Sequence, residues 1–314
     1  MLSRIARLSA TAGLAEFSQV LEQAIFALEG EQRRGAIAGG IVTGGLVEIC
    51  DHDSLVVIGD LHGDSLTLFR ILDEINYSQF LSLPRNKLVF LGDYVDRGRD
   101  SVGILYAICH LKHVYPDSVV LMRGNHEAPA EFPFSSHILP YCMESRFGTH
   151  ARMVYGRTLA LFSLLTLATV IKGRILLVHG GLPTCMSDGW RQAIATAQKS
   201  HLRNRVMEEL LWNDPRTLEG IEWEPSSRGI GRHFGSTVTE RWLSATNTKV
   251  IVRGHEPCRE GYRMDHRGKI LTLFSCREAY PSSNAAYILA SKDDLDSVND
   301  ADGLARFVRT LPLW

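Results

Sequence analysis

Little in this sequence suggests a disulfide scaffold, a membrane segment or a polyanion-binding surface. The 314 residues include six cysteines, at 50, 109, 142, 185, 258 and 276, and no two form a Cys-x-x-Cys pair. Such usage argues against a zinc knuckle or disulfide framework and is expected of reduced, mostly buried thiols in the cytoplasm. No cysteine is read as the start of a cysteine-dependent phosphatase cradle. The longest uncharged run, Thr158 to Ile171, is 14 residues, too short to span a bilayer. A formal charge of -1 gives no electrostatic reason to expect nucleic acid or an anionic membrane as partner. Gly35 to Gly45 has five glycines but lacks the lysine and following helix of a Walker loop. It reads as a loop before the strand Leu46 to Cys50. No internal repeat, low-complexity tract or composition shift marks a second domain.

What is present is ordinary for a globular enzyme, with 45% hydrophobic and 22% charged residues. The first 15 residues carry two arginines and no acid, which fits a targeting segment or the amphipathic start of a helix running to about Glu31. The helix is expected, since Phe17, Val20, Leu21, Ala24, Ile25 and Leu28 recur on one helical face. Residues 1–45 are thus expected to pack as a helical segment and Gly-rich loop on a single domain at 46–314.

The organising feature is a pattern of apolar strands that stop at glycine and charge. It appears as LVVIGDLHGD at 55–64, LVFLGDYVDRG at 88–98, VVLMRGNHE at 119–127, ILLVHGG at 175–181 and VIVRGHE at 250–256. Helices are expected near Ser65–Ile75 and Ser101–Val114, so strand and helix alternate in βαβ fashion. An irregular segment, Ala128 to Pro140, carries three prolines. Helical material follows from Tyr141, and again over 190–211. Ile221 to Gly235 reads as a loop of the kind that holds substrate contacts. After the strand YILA come an acidic turn and a short helical tail. The fold class is α/β, with ligands gathered where strands end. Asp60, His62, Asp93, Asn125, His179 and His255 form a carboxylate, imidazole and amide pool without thiolate. Such donors suit Mn, Fe or Zn.

These five motifs, in this order, resemble the signature set of the phosphoprotein phosphatases, the serine/threonine phosphatases within the calcineurin-like metallophosphoesterases. LWNDP at 211–215, RGIGRHFG at 228–235 and LTLFS at 271–275 extend the resemblance to about residues 46–290. It implies a two-sheet β-sandwich flanked by helices (αββα) with the metal site at the carboxyl ends of strands. It also implies two divalent ions, Mn foremost, with Fe, Zn or Co as alternatives. Asp93 bridges them, Asp60 and His62 complete one set of ligands, and Asn125, His179 and His255 complete the other. A metal-bound hydroxide would attack a phosphoserine or phosphothreonine ester directly. His126, oriented by Asp96, would protonate the leaving oxygen, and Arg97 and Arg228 would clamp the phosphate. A carboxylate beside His126 is expected to favour its charged form. Asp214 is read as support for a histidine or water, or as a plain helix stop, and Arg123 as facing the site or, preferably, pairing with Glu127.

Four features depart from the family pattern. Asp64 stands where eukaryotic enzymes usually carry Gln, Gly254 and Glu256–Pro257 alter the context of the last histidine, and Tyr280 falls one residue late for a substrate contact. These suggest a prokaryotic, especially archaeal, branch. The expected partners are phosphoprotein substrates and regulatory subunits. A diadenosine tetraphosphate or other small phosphoester hydrolase is the rival reading, with Tyr94 favouring the protein phosphatase. A non-catalytic binding module is the rival of another class.

Overall fold

The computed structural model describes residues 4–185, 189–199 and 204–311. Two sheets face one another. One has five strands, ordered Val308–Leu311, Ala285–Ser291, Ser54–Ile58, Lys87–Phe90 and Val119–Leu121. The other has eight, running from Ala36–Ile37, Gly40–Thr43 and Leu46–Ile49 through Ala168–Ile171 and Ile175–Val178 to Val250–Arg253, Ile270–Leu273 and Tyr262–Asp265. A small third sheet joins Trp223–Pro225, Arg232–Phe234 and Asp214–Pro215.

The alternation along each strand explains why there are two layers. Successive side chains of a strand point to opposite faces. Leu55, Val57, Val89 and Leu91 pack between the sheets against Ile175, Leu177, Val250 and Val252. Their neighbours Val56, Ile58, Leu88 and Phe90 turn outward beneath the helices Leu14–Arg34, Ser101–Val114 and Ala151–Leu164. On the opposite outer face Leu176, Val178 and Ile251 meet Ile194, Leu210 and Trp242 from the helices Trp190–Ala197, Arg205–Trp212 and Ser236–Thr246. Because both faces of every motif strand are covered, those strands read as unbroken apolar runs instead of alternating ones. The five motif strands therefore divide three to two between the sheets, in agreement with the two-sheet sandwich that the resemblance implies.

Three expectations change. Gly35–Gly45 is not a loop: Ala36–Ile37 and Gly40–Thr43 pair antiparallel and extend the eight-stranded sheet through Leu46–Ile49. The N-terminal helix is interrupted at Ala12 and Gly13, giving Arg4–Thr11 and Leu14–Arg34. The acidic turn contains two short helices, Lys292–Asp296 and Ala301–Ala305, and the tail beyond them is the edge strand Val308–Leu311, antiparallel to Ala285–Ser291. The helical reading over 190–211 resolves into two helices, with 200–203 outside the described residues. No described helix is long and apolar enough to cross a membrane.

The two sheets touch where the site lies. Asp60, just past Ser54–Ile58, bridges to Phe274 just past Ile270–Leu273, and Gly59 N–H donates to Ser275 Oγ at 2.8 Å. A Cβ on Gly59 would overlap the Leu273 carbonyl group. Gly59→Ala is therefore expected to cost about 1–3 kcal/mol by overpacking, read as a lower denaturant midpoint at unchanged m-value.

Candidate active site

Five polar side chains at the strand ends sit on backbone in the left-handed region: His62 (φ 44), Asp93 (φ 54), Asp96 (φ 68), Arg97 (φ 68) and His255 (φ 72). Each such residue costs about 1–2 kcal/mol relative to ordinary backbone, and strain of this kind clusters where geometry serves chemistry. The turns are held by Glu127. Its carboxylate accepts backbone N–H bonds from Asp93 (2.8 Å), Tyr94 (2.9 Å) and Gly124 (3.0 Å), tying the loop after Lys87–Phe90 to the loop after Val119–Leu121. Gly124 must lack a side chain here, because a Cβ would fall on Asp93 Oδ1 and Glu127 Oε2.

Asp93 lies at the centre. Its Oδ2 faces His62 Nε2 at 3.5 Å and its Oδ1 faces His179 Nε2 at 3.4 Å. His62 Nδ1 lies 3.0 Å from the Val95 carbonyl, and His179 Nδ1 lies 3.0 Å from the Leu91 carbonyl. A carbonyl only accepts, so both rings carry their proton on Nδ1 and turn an Nε2 lone pair toward Asp93. Asn125 Oδ1 sits 3.0 Å from His179 Nε2 and 2.9 Å from His255 Nδ1. Asp60 accepts the His255 N–H on both oxygens (2.9 and 3.0 Å), and its Oδ2 is 3.9 Å from His62 Nε2. Donor atoms of His62, Asp93 and His126 gather within 4.8 Å of one another, as do those of Asp93, His179 and His255.

These residues fit a pair of divalent cations. Burial, then repulsion from Asp60 and Glu127, pushes the Asp93 carboxyl well above the carboxylate range, and burial lifts Asp60 to about 7. Burial likewise drives His62 down to about 3 and His179 and His255 well below the usual histidine range. Neutral imidazoles around crowded carboxylates are lone pairs and negative charge awaiting positive ions.

Beside them opens a cavity of about 520 Å³, lined by His62, Asp93, Asn125, His126 and His255 together with Arg97, Arg228, Tyr280, Phe134 and Trp212. Arg97 is exposed. Arg228 donates from Nε to Asp214 at 2.9 Å, and Asp214 also takes Arg253 Nη2 at 2.8 Å. Fully buried Arg253 passes the network on to Glu256, which is also bound by Arg216 and Arg263. Asp214 thus orients two arginines, with His255 Nε2 4.0 Å away, and the helix before it ends at Trp212. Tyr280 lines the cavity despite its late position, its ring 5.9 Å from His62. Asp64 accounts for this: it caps Ser65–Glu74 through Thr67 N–H at 3.0 Å and takes the N–H groups of Arg277 and Glu278, each at 2.9 Å, holding the Tyr280 loop.

His126 Nδ1 lies 2.8 Å from Asp96 Oδ2. Burial outweighs that partner and sets His126 below the usual histidine value, contrary to the expectation of a favoured charged form. Burial alone would raise Asp96, but the bonds from His126 and His137 hold it below the carboxylate range. Arg123 does not line the cavity. It bonds both oxygens of Glu131 (2.9 and 2.8 Å) and the Glu127 carbonyl (3.0 Å), so its ion pair is with Glu131 and not with the Glu127 carboxylate. Tyr94 does not line the cavity: it is wholly buried, and its hydroxyl donates to the Met122 carbonyl at 2.8 Å. Cys185 and Arg191 do have the Cys-x5-Arg spacing, contrary to the reading above. Arg191 is spent on Glu48 and the Trp190 ring, and neither residue reaches the cavity. Sequence reasoning missed Phe134, Glu131, Trp212 and His137 as residues around the site. The irregular segment Ala128 to Pro140 was the signal for Glu131, Phe134 and His137, and LWNDP was the signal for Trp212.

The fold and paired donor clusters define a metallophosphoesterase. A family model described as calcineurin-like phosphoesterase matches residues 54–259. The chain is 32% identical over 254 residues to serine/threonine-protein phosphatase T of Schizosaccharomyces pombe, covering 78% of this chain and 50% of that protein. It is 32% identical over 248 residues to serine/threonine-protein phosphatase ppe1 of the same yeast, covering 77% and 76%. A solved protein serine/threonine phosphatase from Saccharomyces cerevisiae superposes with a TM-score of 0.74 at 23% identity, covering 95% of this chain and 89% of that one. The chain belongs to the phosphoprotein phosphatase family of serine/threonine phosphatases, within the calcineurin-like phosphoesterases. It spans about half the length of the first relatives it matches. These relatives are eukaryotic, which withdraws the prokaryotic assignment drawn from Asp64, Gly254, Glu256 and Pro257.

Metal should stabilise the fold by relieving the crowded carboxylates. Mn²⁺ added to chelator-treated protein at 100 times its dissociation constant is expected to contribute about 2.7 kcal/mol, seen as a raised Tm by calorimetry. Asp93→Asn should abolish the response.

Proposed function

We propose that the chain is a metal-dependent phosphatase of phosphoserine and phosphothreonine in proteins. The observation that carries this reading is Asp93, whose two oxygens face different imidazoles on the floor of a cavity also lined by Arg97, Arg228 and His126. Asp60, His62 and Asp93 would hold one divalent ion, and Asp93, Asn125, His179 and His255 the other. When bound, such a pair supplies positive charge to a phosphate and acidifies a water. Manganese is the proposed metal, with Fe, Zn and Co as alternatives that the same nitrogen and oxygen donors accept.

The remaining chemistry belongs to side chains. Arg97 and Arg228 bind phosphate oxygens, since a guanidinium offers paired donors and stays charged. Asp214 supports Arg228 from behind. In its doubly protonated form His126 donates Nδ1–H to Asp96 and delivers its Nε2–H proton to the departing serine or threonine oxygen, leaving the neutral ring held on Asp96. Tyr280 flanks the entry. Regulatory subunits as partners and a cytoplasmic setting complete the proposal, the latter supported by six free thiols. Residues 46–314 are proposed as the catalytic unit, with the N-terminal helices against it.

Phosphate release by chelator-stripped enzyme, with and without Mn²⁺, tests the reading on phosphoserine peptide, phosphotyrosine peptide and diadenosine tetraphosphate. Mn²⁺-dependent release chiefly from phosphoserine is expected; preference for the dinucleotide would overturn the protein phosphatase reading. His126→Gln should retain metal while kcat on phosphoserine falls about 10²- to 10⁴-fold. A metal-replete variant of full activity would remove His126 from proton delivery.

A further inference from the structure

Asp96 serves two histidines. Its Oδ2 lies 2.8 Å from His126 Nδ1 and 2.9 Å from His137 Nδ1, and its Oδ1 accepts the backbone N–H groups of Ile138 (2.8 Å) and Leu139 (2.9 Å). A carboxylate offers about four acceptor sites, and here all four are used on a side chain with no solvent exposure. The far nitrogen of His137, Nε2, lies 2.9 Å from the Tyr155 hydroxyl on the helix Ala151–Leu164. Phe134 fills the space between the two imidazoles, its ring centroid 4.5 Å from His126 and 5.5 Å from His137.

We infer that His137 is a positioning residue for proton delivery: by donating Nδ1–H to the oxygen that also holds His126, it prevents Asp96 from rotating and so aims His126 Nε2 into the cavity. The inference rests on the reading of His126 as the proton donor. Among the four donors to Asp96, the two backbone groups anchor Oδ1 alone. With His137 removed, Oδ2 would keep His126 as its single partner, and the carboxylate could turn with the ring it is meant to fix. Tyr155 in turn presents its hydroxyl to His137 Nε2 and keeps the His137 proton on Nδ1. The proton-donating histidine is thereby braced from a helix none of whose residues lines the cavity.

The test uses leaving groups that differ in their need for a proton. A serine alkoxide must be protonated as it leaves, whereas p-nitrophenolate leaves unaided, so misaiming His126 should penalise the first substrate more. Steady-state kinetics of the full, Mn²⁺-supplemented chain would compare a phosphoserine peptide with p-nitrophenyl phosphate. His137→Ala is expected to lose on the order of tenfold more kcat on the phosphopeptide than on p-nitrophenyl phosphate, with KM within about twofold. His137→Asn, whose amide N–H stands where Nδ1 stood, should recover most of that difference. His137→Gln, whose amide reaches only the Nε2 position, should not. These two replacements carry the test should the alanine variant fold poorly. Equal losses on both substrates, or Asn and Gln behaving alike, would overturn the inference while leaving the phosphatase reading intact. A wild-type enzyme silent on both substrates would overturn that reading and this inference with it.

Discussion

The structure depends on keeping four carboxylates, Asp60, Asp93, Asp96 and Glu127, buried together at one end of a sandwich. Unpaired negative charge in such a place costs several kcal/mol per group, so each must be answered. Glu127 is answered by three backbone N–H groups, Asp60 by the His255 N–H, and Asp96 by two imidazoles and two backbone donors. Asp93 has the His126 N–H at 3.0 Å on one oxygen and otherwise faces imidazoles that burial keeps neutral. It is the least compensated of the four, and it is the residue both donor clusters share. A cation pair would answer what the protein leaves unanswered. The left-handed turns at Asp93 and Asp96 follow from the same constraint, because they aim carboxylates inward while backbone N–H groups reach Glu127 and Ser101.

The sandwich makes this concentration possible. Asp60, Asp93 and Asn125 follow strands of the five-stranded sheet, and His179 and His255 follow strands of the eight-stranded one. The cluster of Asp60, His62 and Asp93 comes from the five-stranded sheet alone, whereas the cluster of Asp93, Asn125, His179 and His255 needs both sheets. The apolar interface of Leu55, Val57, Val89, Leu177, Val250 and Val252 holds the two edges together. Behind the cavity, charge is handled by pairing: Arg228, Asp214, Arg253 and Glu256 form a continuous chain of ion pairs from the cavity lining to Arg216 and Arg263.

Legibility in the sequence followed how local each feature is. Helix Ser101–Val114 and the strands before His179 and His255 were readable because apolar runs and their polar stops are contiguous. The glycines of 35–45 signalled a loop, yet a hairpin forms because Leu46–Ile49 offers it an edge to pair with. The tail was read as helix, and it became a strand because Ala285–Ser291 had a free edge. Arg123 was assigned Glu127 by proximity in the chain, but the fold turned Glu131 toward it instead. His137 carried no spacing signal at all, since its bond to Asp96 spans 41 positions of the chain.

The sequence by itself determined the chemistry: which donors exist, that each stands at the end of an apolar strand, and that no thiolate is among the strand-end donors. Those properties are local, set by residue type and by the glycine that ends each strand. Only the tertiary structure decided the partition of the strands between two sheets, the imidazole tautomers, the assignment of Asp64 to the Tyr280 loop and the second histidine on Asp96. Each of these depends on which distant backbone group lies within about 3 Å of a side chain. Packing of the whole chain sets that distance, and no local pattern records it.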